Sequence, residues 1–257
     1  MAVYLSEAFK QVIRKNGKIA FVHATSYSDD RQVMQFLSDH FNGNGFREVF
    51  SAPDHLRWSN RTAISILEGQ EGEIDGIVRF FPLEWFENLP YNSDWQGYFD
   101  CDTPSCNHPV AILAQSKRLP LIWDKLGVEI PAWKRFLPET KDPGSIAPGD
   151  NDWIYKPALG RVGGDISIKG AVSEKELDKI KNAVQKKPKN WVAQRMFKSV
   201  PLTAGDGKSY HLCVGVFTVN EKSAGFYGRI GSYPRIDANA RDIPILIAKD
   251  GKNDNDG

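Results

Sequence analysis

Apolar residues in the first third of the chain follow two alternating patterns, helical spacing and short continuous runs. Residues 1–15 show helical spacing, "KIAFVHA" (18–24) is a nearly continuous apolar run, and helical spacing returns at 28–41. Two further strand-like segments follow, "REVFSA" (47–52) and "IDGIVRFFP" (74–82). Because helices and buried strands alternate in this way in α/β folds, this part of the chain predicts a small Rossmann-like α/β lobe.

The helix predicted over 28–41 has an expected start and an expected apolar face. Ser28 is the expected N-cap, because its hydroxyl can accept a hydrogen bond from the first turn. The buried face is expected to carry Val33, Phe36, Leu37 and Phe41. The lobe has no G-x-G-x-x-G at its first strand-to-helix turn, so no dinucleotide site is expected there.

Strands predominate in the second half of the chain. Residues 108–128 predict a helix that breaks near Pro120, and the Pro, Gly and Asp residues of 138–152 predict a loop or lobe boundary. One more helix is expected over 173–187, where Ser173 and Glu176 have the spacing of a capping box. The expected strands are 153–159, 165–170, 191–197, 210–220, 223–231 and 242–248, with a hairpin turn at "NEKS".

These patterns divide the chain into two parts of different class. Residues 1–107 are expected to form the α/β lobe, and residues 108–257 an α+β lobe with a largely antiparallel sheet. The fold class is therefore α/β plus α+β.

Charge and composition favour small ligands as partners. With 33 Lys and Arg against 32 Asp and Glu, the formal charge of +1 gives no long-range field towards nucleic acid or anionic lipid. No segment approaches the roughly 20 apolar residues of a membrane span. Three cysteines, Cys101, Cys106 and Cys213, are odd in number and lack zinc-ligand spacing, which favours reduced thiols and a cytoplasmic protein.

The segment "WIYKPALGRVGGDISIKG" (153–170) places a lysine in an apolar strand directly before a glycine-rich loop. A Walker-type loop carries its lysine after the glycines, so this segment is not a P-loop. Glycine N–H groups can approach phosphate oxygens without a side-chain clash, and an arginine in the loop adds a forked donor for phosphate or a developing acyl phosphate. A surface hairpin with solvated basic side chains explains the spacing equally well. The residues concerned are Lys156, Gly160, Arg161, Gly163 and Gly164.

Two other polar residues stand in apolar strands. Gln194 in "WVAQRMF" can present its amide to an adenine edge, and Arg229 in "GFYGRIG" can face a ligand from between two glycines. A hydrogen-bonded strand glutamine and a surface arginine are the simpler interpretations. Neither residue identifies a function by itself.

Taken in order, these segments resemble the glutathionylspermidine synthase family of ATP-grasp ligases over residues 18–248. That family has a helix of the type S-N-K-x-x-L-P-L-L-W, a K-P-x-x-G-R-x-G loop, a glutamine-containing hinge and a late arginine on a strand. Here "QSKRLPLIWDKL", "YKPALGRVGG", "VAQRMF" and "GFYGRIG" occur in the same order, and "FFPLEW" is similar to the family's Y-P-W-E-W segment. The resemblance implies an ATP-grasp-like fold, with a pre-ATP-grasp lobe over 1–107 and the nucleotide-binding portion over 108–257.

The resemblance also implies roles for individual residues. Lys117 and Lys156 would contact the phosphates of ATP, and the loop from Gly160 to Gly164 would close over them. Gln194 would lie at the adenine hinge. Arg229 would stabilise the transferring phosphoryl group or the tetrahedral intermediate.

The chain departs from the family at the metal site. The family's magnesium ligands resemble R-x-D and E-x-N-A-D-T-P-T and precede the strand that "KIAFVHA" matches, whereas this chain starts just before that strand. "DCDTPS" (100–105) repeats the D-T-P piece, but it follows "FFPLEW" and Tyr98 stands where the glutamate would be, so we interpret it as chance. The chain is therefore expected to be the C-terminal part of a longer ligase, or a homologue that has lost this metal site.

A second location for the metal is inside the chain. "RIDANARD" offers Asp237 and Asn239 at the acid-x-Asn spacing that many ATP-grasp enzymes use for Mg²⁺. The family takes its ligands from elsewhere, so we do not favour this site, and the metal ligands stay unassigned.

The leading hypothesis is an ATP-dependent carboxylate–amine ligase that works through an acyl phosphate with ATP and Mg²⁺. The family suggests a peptide-like carboxylate such as glutathione and an amine such as spermidine as substrates. The alternative is a non-catalytic ATP-binding module, which the missing upstream carboxylates favour. Neither nucleic acid nor a membrane is an expected partner.

Overall fold

The computed structural model of the protein describes residues 1–147, 149–161, 163–168 and 170–247. The chain forms two compact units: Met1–Leu119 with Thr218–Lys222, and Pro120–Phe217 with the residues from Ser223 onward. These units are defined by compactness, and the lobe boundary expected between residues 107 and 108 stays a prediction. In the part of the chain that is described, no helix has the length and apolar character needed to cross a bilayer.

The first unit is built on a parallel sheet with the strand order β2-β1-β6-β7. Three further short strands and the helices complete the unit. In chain order its elements are α1 (Ala2–Lys10), β1 (Lys18–Val22), α2 (Ser28–Gly43), β2 (Arg47–Ser51), β3 (Leu56–Ser59), β4 (Thr62–Ser65), β5 (Gly72–Glu73), β6 (Gly76–Arg79), α3 (Gly97–Asp100), β7 (Ser105–Cys106) and α4 (Ala111–Gln115).

Strand β1 is covered on both faces, which explains its continuous apolar sequence. Ile19 and Phe21 belong to one apolar cluster, and Ala20 and Val22 belong to another. On the first face Phe41 meets Phe21 edge to face with ring centroids 5.5 Å apart. The α/β lobe expected from the alternation of helices and strands is confirmed.

Helix α2 begins and packs differently from the prediction. Tyr27 occupies the N-cap position and Ser28 is already helical, so the expected serine cap is wrong. Val33 and Phe36 are 38% and 64% exposed. The buried stripe instead follows the helical period of three and four residues through Met34, Leu37, Ser38 and Phe41.

A second sheet in this unit, with the antiparallel order β3-β4-β5, is absent from the sequence-based prediction. Strands β3 and β4 are joined by Asn60 and Arg61, both with positive φ (49° and 65°), as a two-residue hairpin turn requires. The short "SNRT" turn between alternating residues is a signal that could have identified this hairpin.

The helix expected over 108–128 is interrupted earlier than predicted. Helix α4 ends at Gln115, Ser116 has extended backbone (φ −66°, ψ 123°), and a 3-10 segment runs from Leu119 to Lys125. The Ser116 hydroxyl accepts a hydrogen bond from the Arg118 N–H at 3.3 Å, a local bond that competes with helix continuation. The break near Pro120 was therefore misplaced, and Lys117 lies within the actual break.

The second unit contains two antiparallel sheets, with the orders β8-β10-β9 and β11-β12-β13-β14. The prediction of a largely antiparallel α+β lobe is confirmed. Its elements are α5 (Pro131–Phe136), β8 (Thr140–Lys141), β9 (Trp153–Pro157), α6 (Glu174–Lys186), β10 (Trp191–Arg195), β11 (Leu202–Thr203), β12 (Ser209–Val219), β13 (Lys222–Gly231) and β14 (Arg241–Ile243).

Two of the strands expected in this unit differ from the prediction. Residues 165–168 form no strand. Ser167 nevertheless makes two hydrogen bonds to Tyr155: the Ser167 N–H donates to the Tyr155 carbonyl at 3.2 Å, and the Ser167 Oγ accepts from the Tyr155 N–H at 2.7 Å. Strand β14 ends before Pro244, which has no N–H to donate to a ladder. Residue 248, the last of the predicted strand, lies outside the described residues.

Half of the predicted capping box is present on α6. Ser173 is the N-cap and its Oγ accepts a bond from the Glu176 N–H at 3.2 Å. The Glu176 carboxylate does not complete the box, because it accepts a hydrogen bond from Arg235 at 3.0 Å.

Candidate functional site

The antiparallel pairing of β9 and β10 brings Lys156 and Gln194 together. Val192 lies opposite Lys156 and Gln194 lies opposite Ile154, so alternation puts both polar side chains on one face. The Lys156 Nζ donates to the Gln194 Oε1 at 2.6 Å. Gln194 is 8% exposed and Lys156 is half-buried, so this charge-assisted bond is partly shielded from water and restricts the position of the ammonium group.

Helix α6 packs on the opposite face of the same sheet. Ile180 and Val184 of α6 form an apolar cluster with Trp191, and Tyr155 packs against it. Tyr155 and Trp191 alternate with Lys156 and Val192 along their strands, so α6 covers the face that Lys156 does not occupy.

Both ends of the Gln194 amide are fixed. An ammonium group can only donate, so the amide oxygen must face Lys156. The amide nitrogen donates to Thr140 Oγ1 at 3.3 Å, and Thr140 Oγ1 donates to the Pro138 carbonyl at 3.1 Å. Thr140 lies directly opposite Gln194 in the pairing of β8 with β10. The chain of bonds from Lys156 to Pro138 therefore runs in one direction.

Thr140 is a site residue that sequence reasoning missed. It lies in a two-residue strand inside the segment that prolines, glycine and aspartates marked as a loop. Such a short strand has no periodicity to detect, and only its pairing with β10 brings the hydroxyl to Gln194.

The glycine-rich loop is described except for residue 162. Two of its amides take part in turns, because the Gly160 N–H donates to the Pro157 carbonyl at 3.3 Å and the Gly164 N–H to the Arg161 carbonyl at 3.0 Å. In this conformation those two donors face the loop itself. Arg161 is exposed to solvent, and its role in binding a ligand stays a prediction.

Gly163 joins the loop to the segment that follows β13. It has a positive φ of 64°, and a Cβ at this position would clash with the Ile236 carbonyl oxygen and lie 3.3 Å from the Asp237 Cα. Only a residue without a side chain permits both this backbone conformation and this close approach.

Arg229 in β13 is held by acceptors on β14 and on the segment that joins β13 to β14. It lies opposite Asp242 of β14, and its Nε donates to the Asp242 carboxylate at 3.2 Å. Its Nη2 donates to the carbonyls of Asp237 at 2.9 Å and Ala240 at 3.5 Å. The side chain is 21% exposed. Arg229 donates to the Asp237 carbonyl, and the backbone of Gly163 lies close to that of Asp237.

The possible metal ligands Asp237 and Asn239 are used differently. The Asp237 carboxylate accepts a hydrogen bond from the Asn239 N–H at 2.9 Å and pairs with Arg235 at 3.2 Å. The backbone hydrogen bond, followed by the arginine, lowers the pKa of Asp237 below its ordinary value. Within the described ranges, no three or more His, Cys, Asp or Glu residues are grouped so that they could hold a metal ion. The acid-x-Asn spacing here serves a turn.

Lys117 belongs to the first unit, in the break after α4. Its side chain is half-buried. Its proposed contact with ATP rests on the family resemblance alone.

The larger of two cavities described in the second unit, about 490 Å³, contains none of the predicted site residues. Its lining comes from α6, from β9 and from residues 143–151, and it includes Trp153 and Tyr155. The smaller cavity, about 210 Å³, is lined in part by Arg235, Asp237 and Asn239.

Comparison with known proteins identifies the family. No curated protein matches the chain. Among solved structures, the crystal structure of D-cycloserine synthetase DcsG matches with a TM-score of 0.49 and 14% identity over 83% of this chain and 68% of that one, too low a similarity to carry an argument. The family model described as glutathionylspermidine synthase preATP-grasp matches residues 2–248, and this match supports the expected fold class. The chain belongs to the glutathionylspermidine synthase pre-ATP-grasp family.

Proposed function

We propose that the protein is an ATP-dependent carboxylate–amine ligase of the glutathionylspermidine synthase type. The observation that carries this proposal is the bond between Lys156 and the buried Gln194 on one face of an antiparallel sheet, beside a glycine-rich loop. A fixed ammonium group next to flexible glycines suits a triphosphate, since it meets the negative charge without having to reorganise. Family membership supports ATP as the nucleotide.

The proposed reaction has two steps. A carboxylate oxygen of the acid substrate attacks the γ-phosphorus of ATP, the bond to the β-phosphate oxygen breaks, and ADP leaves. The amine nitrogen then attacks the carbonyl carbon of the acyl phosphate, inorganic phosphate leaves, and the nitrogen gives up a proton as the amide forms. The family suggests a peptide-like acid such as glutathione and an amine such as spermidine.

Each candidate residue takes a part in this scheme. Lys156 neutralises the phosphates, and Gln194 holds Lys156 at the hinge where the adenine would lie. A phosphate contact is proposed for Lys117 from the family resemblance alone. Arg161 reaches the transferring phosphoryl group from the loop, whose glycines Gly160, Gly163 and Gly164 let it close. Arg229 stabilises the charge that develops on the phosphoryl group or on the tetrahedral intermediate.

Magnesium is the cofactor expected with ATP, but Asp237 and Asn239, the acid-x-Asn pair that the sequence offers, do not fit a magnesium site. Mg²⁺ prefers carboxylate oxygens in octahedral geometry, and the Asp237 carboxylate is already taken by Arg235 and the Asn239 N–H. We therefore assign no step of this chain's chemistry to a magnesium ligand within these residues.

That same observation favours the second candidate, a non-catalytic ATP-binding module. The two functions differ in turnover, because a binding module holds ATP without releasing ADP. Steady-state ADP release with a panel of peptides and polyamines distinguishes them. ADP release that requires both an acid and an amine supports the ligase, whereas ATP binding without ADP release supports the module.

The ATP site itself is tested by titration of a fluorescent ATP analogue. We expect Lys156→Ala to weaken binding at least about tenfold, because a charge-assisted contact to phosphate is lost. Lys179→Ala, which removes an exposed lysine on α6, is the matched control and should bind as the wild type does. Equal affinities for the wild type and Lys156→Ala would refute the proposed site.

A further inference from the structure

We infer that Thr140 is a positioning residue that sets the Lys156 ammonium group for ATP by way of Gln194. The inference rests on the proposed function and concerns a residue with no phosphate-binding chemistry of its own. Its basis is the directed chain of hydrogen bonds from Lys156 through Gln194 and Thr140 to the Pro138 carbonyl.

The Gln194 amide can adopt two orientations that differ by a half-turn, and only one of them is useful. With the oxygen towards Lys156, the ammonium group gains an acceptor at 2.6 Å. After a half-turn the amide nitrogen would face the ammonium group, and two donors would oppose each other. Thr140 favours the useful orientation, because it supplies an acceptor for the nitrogen on the other side.

Thr140 can be an acceptor here because its own proton is directed elsewhere. Its Oγ1 donates to the Pro138 carbonyl at 3.1 Å, which leaves the oxygen lone pairs for Gln194. Since Gln194 is 8% exposed, water is a poor substitute for this acceptor. Without the Thr140 hydroxyl, the buried Gln194 amide nitrogen would have one hydrogen-bond acceptor fewer. The amide would then adopt the flipped orientation for part of the time, and in that orientation Lys156 has no acceptor on Gln194.

Two substitutions separate the hydroxyl from the rest of the side chain. Thr140→Val keeps the shape and the β-branching that suit a strand but removes the acceptor. Thr140→Ser keeps the acceptor and loses a methyl group. Strand β8 pairs with β10 through its backbone, so both variants retain the pairing opposite Gln194.

The experiment measures the affinity for the fluorescent ATP analogue. Thr140→Val should bind roughly 2- to 10-fold more weakly than the wild type, the effect of one neutral hydrogen bond, and Thr140→Ser should bind within about twofold of it. Thermal unfolding midpoints of all variants show whether the fold is retained. Wild-type affinity in Thr140→Val, or a failure of Thr140→Ser to restore binding, would overturn the inference.

A double-mutant cycle distinguishes positioning from general support of the sheet. If Thr140 acts through Lys156, then Thr140→Val should cause no further loss in the Lys156→Ala background. A loss of the same size in both backgrounds would mean that Thr140 does not act through Lys156. A wild type that does not bind the analogue removes the proposed function and the positioning role together, an outcome distinct from the failure of the variants alone.

Discussion

Tyr98 stands where the glutamate would be if "DCDTPS" were the family's metal segment, and the structure gives this residue a role in the core of the first unit. It is 2% exposed, its hydroxyl donates to the Pro53 carbonyl at 3.0 Å, and its ring meets Trp58 and Phe86 edge to face. Burial raises the pKa of Tyr98 well above its ordinary value of 10.0, and the positive charge of Arg79 offsets only part of that effect.

Tyr98→Phe should therefore destabilise the protein in a pH-dependent way. At neutral pH the lost hydrogen bond should cost about 1 kcal/mol. Because the folded-state pKa is raised, protonated Tyr98 contributes stability that is complete below pH 10 and declines as the unfolded state ionises above it. The gap in unfolding free energy between wild type and Tyr98→Phe should fall by about 1.4 kcal/mol between neutral pH and about pH 11, enough to close it. Urea unfolding at both pH values measures it, and an unchanged gap would contradict the buried, protonated state.

At the residue scale, the sequence indicated which side chains belong to the candidate site but not which groups they bond to. Lys156 and Gln194 could be selected as polar residues in apolar strands, but their hydrogen bond depends on a strand register that composition does not contain. Arg229 could be selected as well. Its hydrogen bonds to the Asp242 carboxylate and the Asp237 carbonyl could not be predicted, because they depend on how the chain turns back after β13 to pair as β14. Thr140 had no local signal at all.

At the scale of elements, helices α2 and α6 show what an N-cap requires, because each has a serine at or just before its first residue. On α6 the Ser173 hydroxyl accepts the Glu176 N–H, because Ser173 has extended backbone (φ −69°, ψ 155°) just outside the helix. On α2 the residue in that position is Tyr27, and the Ser28 hydroxyl points to the neighbouring Asp29 carboxylate at 3.5 Å. The same residue type therefore caps one helix and not the other.

Ser173→Ala should destabilise the protein by about 1 kcal/mol, since an N–H of the first turn of α6 loses its acceptor. Ser28→Ala is the matched control and should change the unfolding free energy by less than about 0.5 kcal/mol. Urea unfolding followed by circular dichroism measures both. Equal effects of the two substitutions would show that Ser173 does not act as a cap.

The elements most easily predicted were those whose surroundings impose one clear pattern. Strand β1 is enclosed on both faces and its apolar run was identified, as was α6 with its N-cap. Helix α2 was found, but its face was misjudged because Val33 and Phe36 are apolar and yet exposed. The segment at 165–168 has β-forming residues, but Ser167 bonds to Tyr155 with its side chain as well as its backbone and does not extend the sheet.

At the scale of the whole molecule, the proposed function requires the second unit to bring Lys156 on one sheet and Arg229 on another to the same ATP molecule. Among the described residues, two of the contacts between segments that flank these sheets bear on this requirement. Arg235, which follows β13, bonds Glu176 at the start of α6 at 3.0 Å. Gly163 of the loop after β9 meets the backbone of Ile236 and Asp237, and Asp237 in turn accepts a hydrogen bond from Arg229.

Gly163→Ala should weaken ATP binding because it disturbs this second contact. An alanine would be strained at a φ of 64° by about 1–2 kcal/mol and would clash with the Ile236 carbonyl, so the loop would have to leave the Arg229 sheet. A loss of that size corresponds to about 5- to 30-fold in affinity for the fluorescent ATP analogue.

Gly164→Ala is the matched control for this prediction. Gly164 lies next in the chain, its φ is not positive, and an added Cβ would meet the Arg161 carbonyl oxygen at 3.4 Å, an ordinary contact. Because Gly164 belongs to the same proposed phosphate loop, we expect Gly164→Ala to weaken binding less than Gly163→Ala does, and the difference between the two variants measures the contact with Ile236 and Asp237. Equal losses in both variants would mean that the loop needs glycines only for flexibility. A loss confined to Gly163→Ala would show that ATP binding depends on how the loop rests against Ile236 and Asp237, and hence on the joining of the Lys156 and Arg229 sheets.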